Sequence, residues 1–354
     1  MAFDPVVSLG IIALYGVITL GIGLYAWTRS SSKTLDQYFL ADRKIGWFVG
    51  FFSIAASQFS ALTMIGFIAF YFNFGIGAFI AITGGALLFY AGSLYFLAPR
   101  IWKVGTEFSH ITPSDTVAQY YDSQALRYVV AVGMILALLP YLQVQFSGIG
   151  IALEIGSGGL IPVPVGAAII ALIIAVYTIL GGMKSVAWVD TMQGILLLGA
   201  SFVGGLVLLF TVGGGVQNAF TTLLSQKPGL ISIPGPQGVF DWRHILTFSI
   251  PVFLGWLYHP YIWMRINYFE NGEMMEHLPW VFMGIFWLTQ FGGFATVLAG
   301  ATIIPNVAPD KFLLLMYQRF FPTAIFAVIA SAAIAAMMSS ASSICHSIAA
   351  VVSN

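Results

Sequence analysis

Charge is what this sequence has least of. Only 7% of its 354 residues are Asp, Glu, Lys or Arg, against about 25% in an ordinary soluble domain, while 59% are hydrophobic. A chain of this composition cannot cover a water-facing surface, so lipid is its solvent. The 13 basic and 13 acidic side chains cancel, which excludes the basic footprint of a nucleic-acid binder. Cysteine occurs once, as Cys345, and a single thiol excludes an internal disulfide framework or a cysteine-based metal cluster. His110, His244, His259, His277 and His346 fall in no HExxH spacing, and no GxSxG elbow occurs. Enzyme chemistry on a metal or an activated serine therefore has no motif here. The opening stretch, MAFDPVVSLG, lacks a basic region, and no small-residue cleavage site follows its apolar run. That run reads as a retained span rather than a signal peptide.

Long apolar runs are what the chain has in abundance. Nine are long enough to cross a bilayer as helices, at residues 5–28, 46–72, 77–98, 126–153, 162–181, 186–212, 244–268, 278–303 and 321–352. Arg29, Lys33, Arg43, Lys44, Arg100, Lys103, Arg127, Lys184 and Arg265 fall on one side of the spans so drawn, and Lys227, Arg243, Lys311 and Arg319 on the other. The excess places the N-terminus outside a plasma membrane crossed many times. Two spans are interrupted. The second carries SIAASQFSALTMIGF, with Ser53, Ser57, Gln58, Ser60 and Thr63 at mid-span, and the seventh carries GWLYHPYIWMR, where Pro260 removes a backbone donor. Broken helices at membrane depth line cavities, and transporters bind ions and solutes at them. The five-span separation suits the first helices of two inverted repeats. The chain ends on Val351-Val352-Ser353-Asn354 with no charged flank, which reads as a fragment of a longer protein.

The ninth span holds AAMMSSASSICHSIA. On a helix Ala336, Ser339, Ser340 and Ser343 share one stripe, with Ser342 at its edge. Small residues let helices approach closely, so packing is one explanation. Alanine would serve for packing without the buried hydroxyls. The other explanation is a cage for a small hard cation such as sodium, made of these hydroxyls and of carbonyls freed near Ala56 and Phe59.

The stretches DQYFLADRKIGWF, SIAASQFSALTMIGF, ITPSDTVAQYYDS, YTILGGMKSVAWVDTMQG, HPYIWMRINYF and AAMMSSASS together make the chain resemble the sodium/solute symporter family, over essentially its whole length. The resemblance implies an all-α membrane protein with a LeuT-like inverted-repeat bundle. Residues 5–28 would be an extra N-terminal helix, 46–212 the first repeat and 244–354 a partial second one, cut after the eighth core helix. It implies a sodium site formed by the carbonyls of Ala56, Phe59 and Ala336 with the hydroxyls of Ser339 and Ser340. It also implies, for some members, a second sodium site at Asp190, Ser342 and Ser343. Asp190 is read alternatively as a helix-start carboxylate opening the sixth span. Sodium-coupled import of a small-molecule solute follows; a sodium-binding channel or sensor is the alternative. The solute would be lined by Gln58, Ser60 and Thr63 from one broken helix and His259 and Tyr261 from the other. The family's sugar carriers have a glutamine where this chain has Thr63 and a glutamate where it has Ile82, and its sialic-acid carriers an arginine on the core's third helix. With all three missing, and HPYIWMR similar to proline and pantothenate carriers, an amino acid or carboxylate is expected. Arg265 is expected to snorkel to the cytoplasmic edge.

Overall fold

The computed structural model describes residues 3–29 and 34–353; Lys33 and Asn354 lie outside the described residues. Among these, regular structure is helical apart from one isolated parallel bridge between Ile45 and Phe269. Helix α1 (Pro5–Thr28) starts behind Asp4, whose carboxylate accepts the N–H groups of Val6 and Val7 at 2.9 and 3.3 Å, with proline at its first position as helix starts favour. A short α2 (Leu35–Leu40) leads to α3 (Trp47–Gln58). There the helix breaks: Phe59 is extended (φ −85°, ψ 115°). The chain resumes through a π-turn at Leu62–Gly66 into α4 (Phe67–Phe74), bent 62° from α3. Helices α5 (Ile76–Gly85) and α6 (Gly92–Glu107) form one span through a second π-turn, Ala86–Ala91. A short α7 (Pro113–Tyr120) precedes the long α8 (Gln124–Gly156). Then come α9 (Val163–Leu198), α10 (Gly204–Thr211) and a peripheral α11 (Val216–Gln226). The second bent pair is α12 (Trp242–Trp256) with α13 (Pro260–Asn267), at 49°. Helices α14 (Met274–Gly300), α15 (Pro309–Phe320) and α16 (Thr323–Ser353) complete the chain.

The run Val163–Thr211 is 49 residues of nominally continuous helix, about 74 Å at 1.5 Å per residue and far longer than a bilayer's hydrocarbon core of about 30 Å. It folds back at Gly182, whose φ of +54° and ψ of −151° only glycine adopts readily. The reversal shows in what faces α1. A Cβ on Gly23 would meet Tyr177 at 2.5 Å and Val189 at 3.6 Å, two residues that a straight helix would hold about 18 Å apart. Six apolar helices long enough to span, two bent pairs and this one division make nine spans among the described residues. The connection after the fifth span is tighter than the 182–185 loop expected from sequence: Met183 already has helical geometry, so Lys184 sits in the helix.

Helix α16 occupies the middle, packed against α1, α3, α8, α9 and α13. Lipid tails are as apolar as leucine, so association in a bilayer relies on close contact of small residues and on polar links. Ala332, Ala333, Ala335, Ala336 and Ala341 supply the first, all buried; the serines between them supply the second. At one end of the bundle the basic residues gather. Lys184 donates to Arg29 O at 2.6 Å, Arg43 reaches the carbonyls of His110 and Asn267, and Arg127 pairs with Asp115 at 2.7 Å. Lys227 and Lys311 bond Ala301 O and Glu154 elsewhere.

Candidate functional site

The site is built where α3 breaks against α16. Breaking a helix leaves carbonyls without their i+4 amide partners, and here the serine stripe takes them up. Ser339 Oγ donates to Ala56 O at 2.8 Å and lies 2.9 Å from Ala336 O. Ser340 Oγ lies 2.9 Å from Phe59 O and 3.0 Å from Ser57 O. All five groups expected from sequence, the carbonyls of Ala56, Phe59 and Ala336 and the hydroxyls of Ser339 and Ser340, therefore converge in a spot closed to solvent. The donor set is neutral oxygen throughout, suited to a hard monovalent cation that must be released again. Ser57 O is a sixth oxygen that sequence reasoning missed; it follows from the break lying after Gln58.

Asp190, Ser342 and Ser343 do not make a comparable opening. Asp190 lies two turns inside the sixth span, not at its start, and is fully buried. Its Oδ2 accepts Arg265 Nη2 at 2.6 Å and Ser53 Oγ at 3.2 Å. The same Nη2 is 2.7 Å from Ser343 Oγ, so a guanidinium bridges the carboxylate and the serine. Ser342 Oγ donates within its own helix to Ser339 O at 3.0 Å, as Ser343 Oγ does to the same carbonyl. Arg265 thus corrects the expectation of a snorkelling side chain: it is completely buried. The reason is that α13 packs inward across α6 and α16, where a buried acid offers the pairing that burying a charge requires.

The residues expected around a solute divide. Gln58 Nε2 donates to Tyr90 OH, leaving Gln58 Oε1 without a partner. Ser60 and Thr63 turn to the backbone instead: Thr63 Oγ1 accepts Ser60 N at 2.6 Å and donates to Ser60 O at 3.0 Å, and Ser60 Oγ accepts Thr63 N at 3.3 Å. Together they cap the resumed half-helix, as short hydroxyl side chains do at helix starts. On the second broken helix His259 Nδ1 is 2.9 Å from Trp256 O, and Tyr261 is buried with its OH unpartnered. Two residues of α8 that sequence reasoning missed join them. The Tyr141 ring lies 5.8 Å from that of His259, its OH also unpartnered, and Gln145 Oε1 accepts Ala61 N at 2.8 Å. Gln145, a polar residue deep in an apolar run, was the signal available. Tyr90 stacks edgewise on Phe282 at 4.8 Å and lies 5.4 Å from Trp256, linking the two breaks. Three buried polar atoms without partners, Gln58 Oε1, Tyr141 OH and Tyr261 OH, are what a polar solute would satisfy.

Comparison with known proteins identifies relatives of the chain and of its fold. The chain is 27% identical over 301 residues to the sodium/pantothenate symporter of Escherichia coli (strain K12), covering 83% of the chain and 60% of that protein. It is 23% identical over 338 residues to the sodium/pantothenate symporter of Haemophilus influenzae, covering 94% of the chain and 69% of that protein. The chain therefore spans only 60% to 69% of the length of these curated relatives. Its fold superimposes on a Na+-coupled sialic acid symporter, solved in a substrate-bound outward-open state, with a TM-score of 0.80 at 18% identity, over 98% of this chain and 72% of that one; the shared fold is LeuT-like. The model of the sodium:solute symporter family matches residues 38–354. The chain belongs to the sodium:solute symporter family.

Proposed function

We propose that the protein is a sodium-coupled secondary active symporter that imports a small carboxylate-bearing solute across the plasma membrane. The observation that carries this reading is the convergence of Ser339 and Ser340 hydroxyls on the carbonyls of Ala56, Phe59 and Ala336. Sodium held there would link the broken α3 to α16, and the order it imposes on the break would favour solute binding beside it. Such coupling works only if the ion binds one conformation better than the other. Inward sodium adds about 2.3 kcal/mol of drive per 100 mV for each charge moved.

The second cation position is supplied by the protein itself. Arg265 stands between Asp190 and Ser343, so we read one sodium per cycle, with Asp190 holding the arginine rather than an ion. The solute class rests on the relatives: pantothenate and sialic acid are both carboxylic acids. Gln58, Tyr141, His259 and Tyr261 are the groups available to hold one, with Ser60 and Thr63 shaping the half-helix whose N-terminus can face its charge. The repeat boundaries at 46–212 and 244–354, and an N-terminus outside, belong to the same proposal; the gathering of Arg29, Arg43, Lys44, Arg127 and Lys184 at one end supports that orientation.

The test is uptake of labelled pantothenate, proline and short carboxylates into proteoliposomes carrying an inward sodium gradient. Uptake of at least one solute that collapses when sodium is equal on both sides is expected. Sodium flux that ignores every solute would overturn symport in favour of a channel.

A further inference from the structure

We infer that the outer face of α1 and the sixth span form a binding site for one phospholipid with an anionic headgroup. A groove of about 850 Å³ runs between these helices, walled by Gly21, Ile22, Met192 and Ile195. The two helices run in opposite directions, so Arg29 and Lys184 meet at one end of the groove, joined by the bond from Lys184 Nζ to Arg29 O at 2.6 Å. From Arg29 back to Gly21 is about 12 Å of helix, and from Lys184 to Ile195 about 16 Å. Half of a bilayer's hydrocarbon core is about 15 Å. The apolar part of the groove therefore has the depth of one leaflet, and its basic end lies where headgroups lie.

What selects the headgroup is charge. A polar recess continues from the groove past the same Arg29, Lys184 and Trp188 and adds Lys44 and Asp42, so among the described residues three cations face one carboxylate. A phosphodiester with no cation of its own complements that set, whereas the ammonium of a zwitterionic lipid would have to sit among like charges. Arg29 lies over the Tyr25 ring at 5.6 Å, and Tyr25 and Trp188 are 64% and 49% exposed, the aromatic setting of a membrane interface. Basic pockets between spanning helices hold anionic lipids in this way. One ammonium hydrogen of Lys184 is engaged by Arg29 O; an ammonium has two more to offer a phosphate.

Native mass spectrometry of the detergent-purified protein tests this, with phosphatidylglycerol and phosphatidylcholine of identical acyl chains added in turn. Two basic groups near a surface favour the anionic lipid about thirtyfold, so the wild type should retain one phosphatidylglycerol and no phosphatidylcholine. Arg29→Gln with Lys184→Gln should lose that preference. Gly21→Phe provides an independent arm should that double variant fail to fold. A Cβ at Gly21 meets nothing within 4 Å, so a ring there would stand in the path of an acyl chain with every charge intact and should expel the lipid without lowering the thermal midpoint of lipid-free protein. Equal retention of both lipids by the wild type, or retention of phosphatidylglycerol by Gly21→Phe, would overturn the site.

Discussion

Ser339 and Ser340 each hold a hydrogen that points at a carbonyl of the broken helix, and a cation arriving there needs the hydroxyl oxygen turned toward it. A hydroxyl can turn; an alanine methyl has nothing to offer. Hydrogen bonds or contacts to a charge are worth about 1.5–3 kcal/mol each, so Ser339→Ala or Ser340→Ala should raise the sodium concentration for half-maximal uptake about tenfold or more, and the double variant should abolish sodium activation. Uptake measured against sodium concentration checks it, and an unchanged activation curve in the double variant would remove the site. Asp190 behaves differently. Its partner Arg265 is buried with it, and removing one member of such a pair costs about 3–5 kcal/mol because the other charge stays behind. Asp190→Leu should therefore lower the thermal midpoint strongly. Asp190→Leu with Arg265→Met should restore most of it, since an apolar pair of similar volume is often neutral. A sodium half-saturation little changed in Asp190→Asn separates this role from ion ligation; a large rise would make Asp190 a ligand. None of this pairing was legible in the sequence, where the two residues stand 75 positions apart and each carries a plausible solitary role. The serine stripe was legible, because i, i+3 and i+4 spacing is a local property of one helix.

At the scale of elements, the two broken spans and their joints decide the architecture. Both breaks could be read from residues: hydroxyls and an amide clustered at mid-span around Gln58, and Pro260 following His259. The start of α3 and the end of α13 are fastened together at the basic end of the bundle. Ile45 N–H donates to Tyr268 O at 3.1 Å, Tyr268 OH to Gly50 O at 2.9 Å, and Trp102 Nε1 to Phe269 O at 3.0 Å. The first two bonds tie the start of α3 to the end of α13, and the third ties that same end to α6. The turn at Gly182 was less legible, since Gly181-Gly182 followed by Lys184 suggests an ordinary loop. Only the packed structure shows Tyr38 pressed on it, with Tyr38 O 2.6 Å from where a Cβ would stand. Backbone in such a region costs a residue other than glycine about 1–3 kcal/mol, to which this clash adds. Gly182→Ala should accordingly depress the thermal midpoint and the yield of folded protein. Gly199→Ala is the control: its φ of −60° is helical and its Cβ would meet nothing, so stability should hold or rise by up to about 1 kcal/mol. Equal behaviour of the two variants would mean the reversal at Gly182 is not as tight as drawn.

For the whole molecule, composition alone demanded lipid as solvent, and the described residues supply six apolar helices and two bent pairs long enough to cross it. What composition could not give is which chemical groups meet at the centre. Tyr90 and Tyr141 reach it from the third and fourth spans because of how those helices cross, which no local pattern encodes; only Gln145, polar within an apolar run, gave a local sign. Orientation falls between these cases. Arg29, Arg43, Lys44, Arg127 and Lys184 come from four separate segments, yet the structure brings Arg29 to Lys184 and Arg43 to His110, so a tally along the chain becomes a patch in space. A patch of that sign stays on the cytoplasmic side because moving it across the membrane during insertion is unfavourable. Cysteine accessibility turns this into a measurement. In a Cys345→Ser background, Lys44→Cys lies exposed at the basic end and Gln237→Cys lies exposed in the segment before α12. A membrane-impermeant maleimide added to intact cells should label Gln237→Cys and spare Lys44→Cys, and permeabilised cells should give both. The opposite pattern would reverse the molecule in the membrane. Outward sodium would then meet the fastened ends of α3 and α13 first, and the direction of import assigned to the cycle would have to be reversed with it.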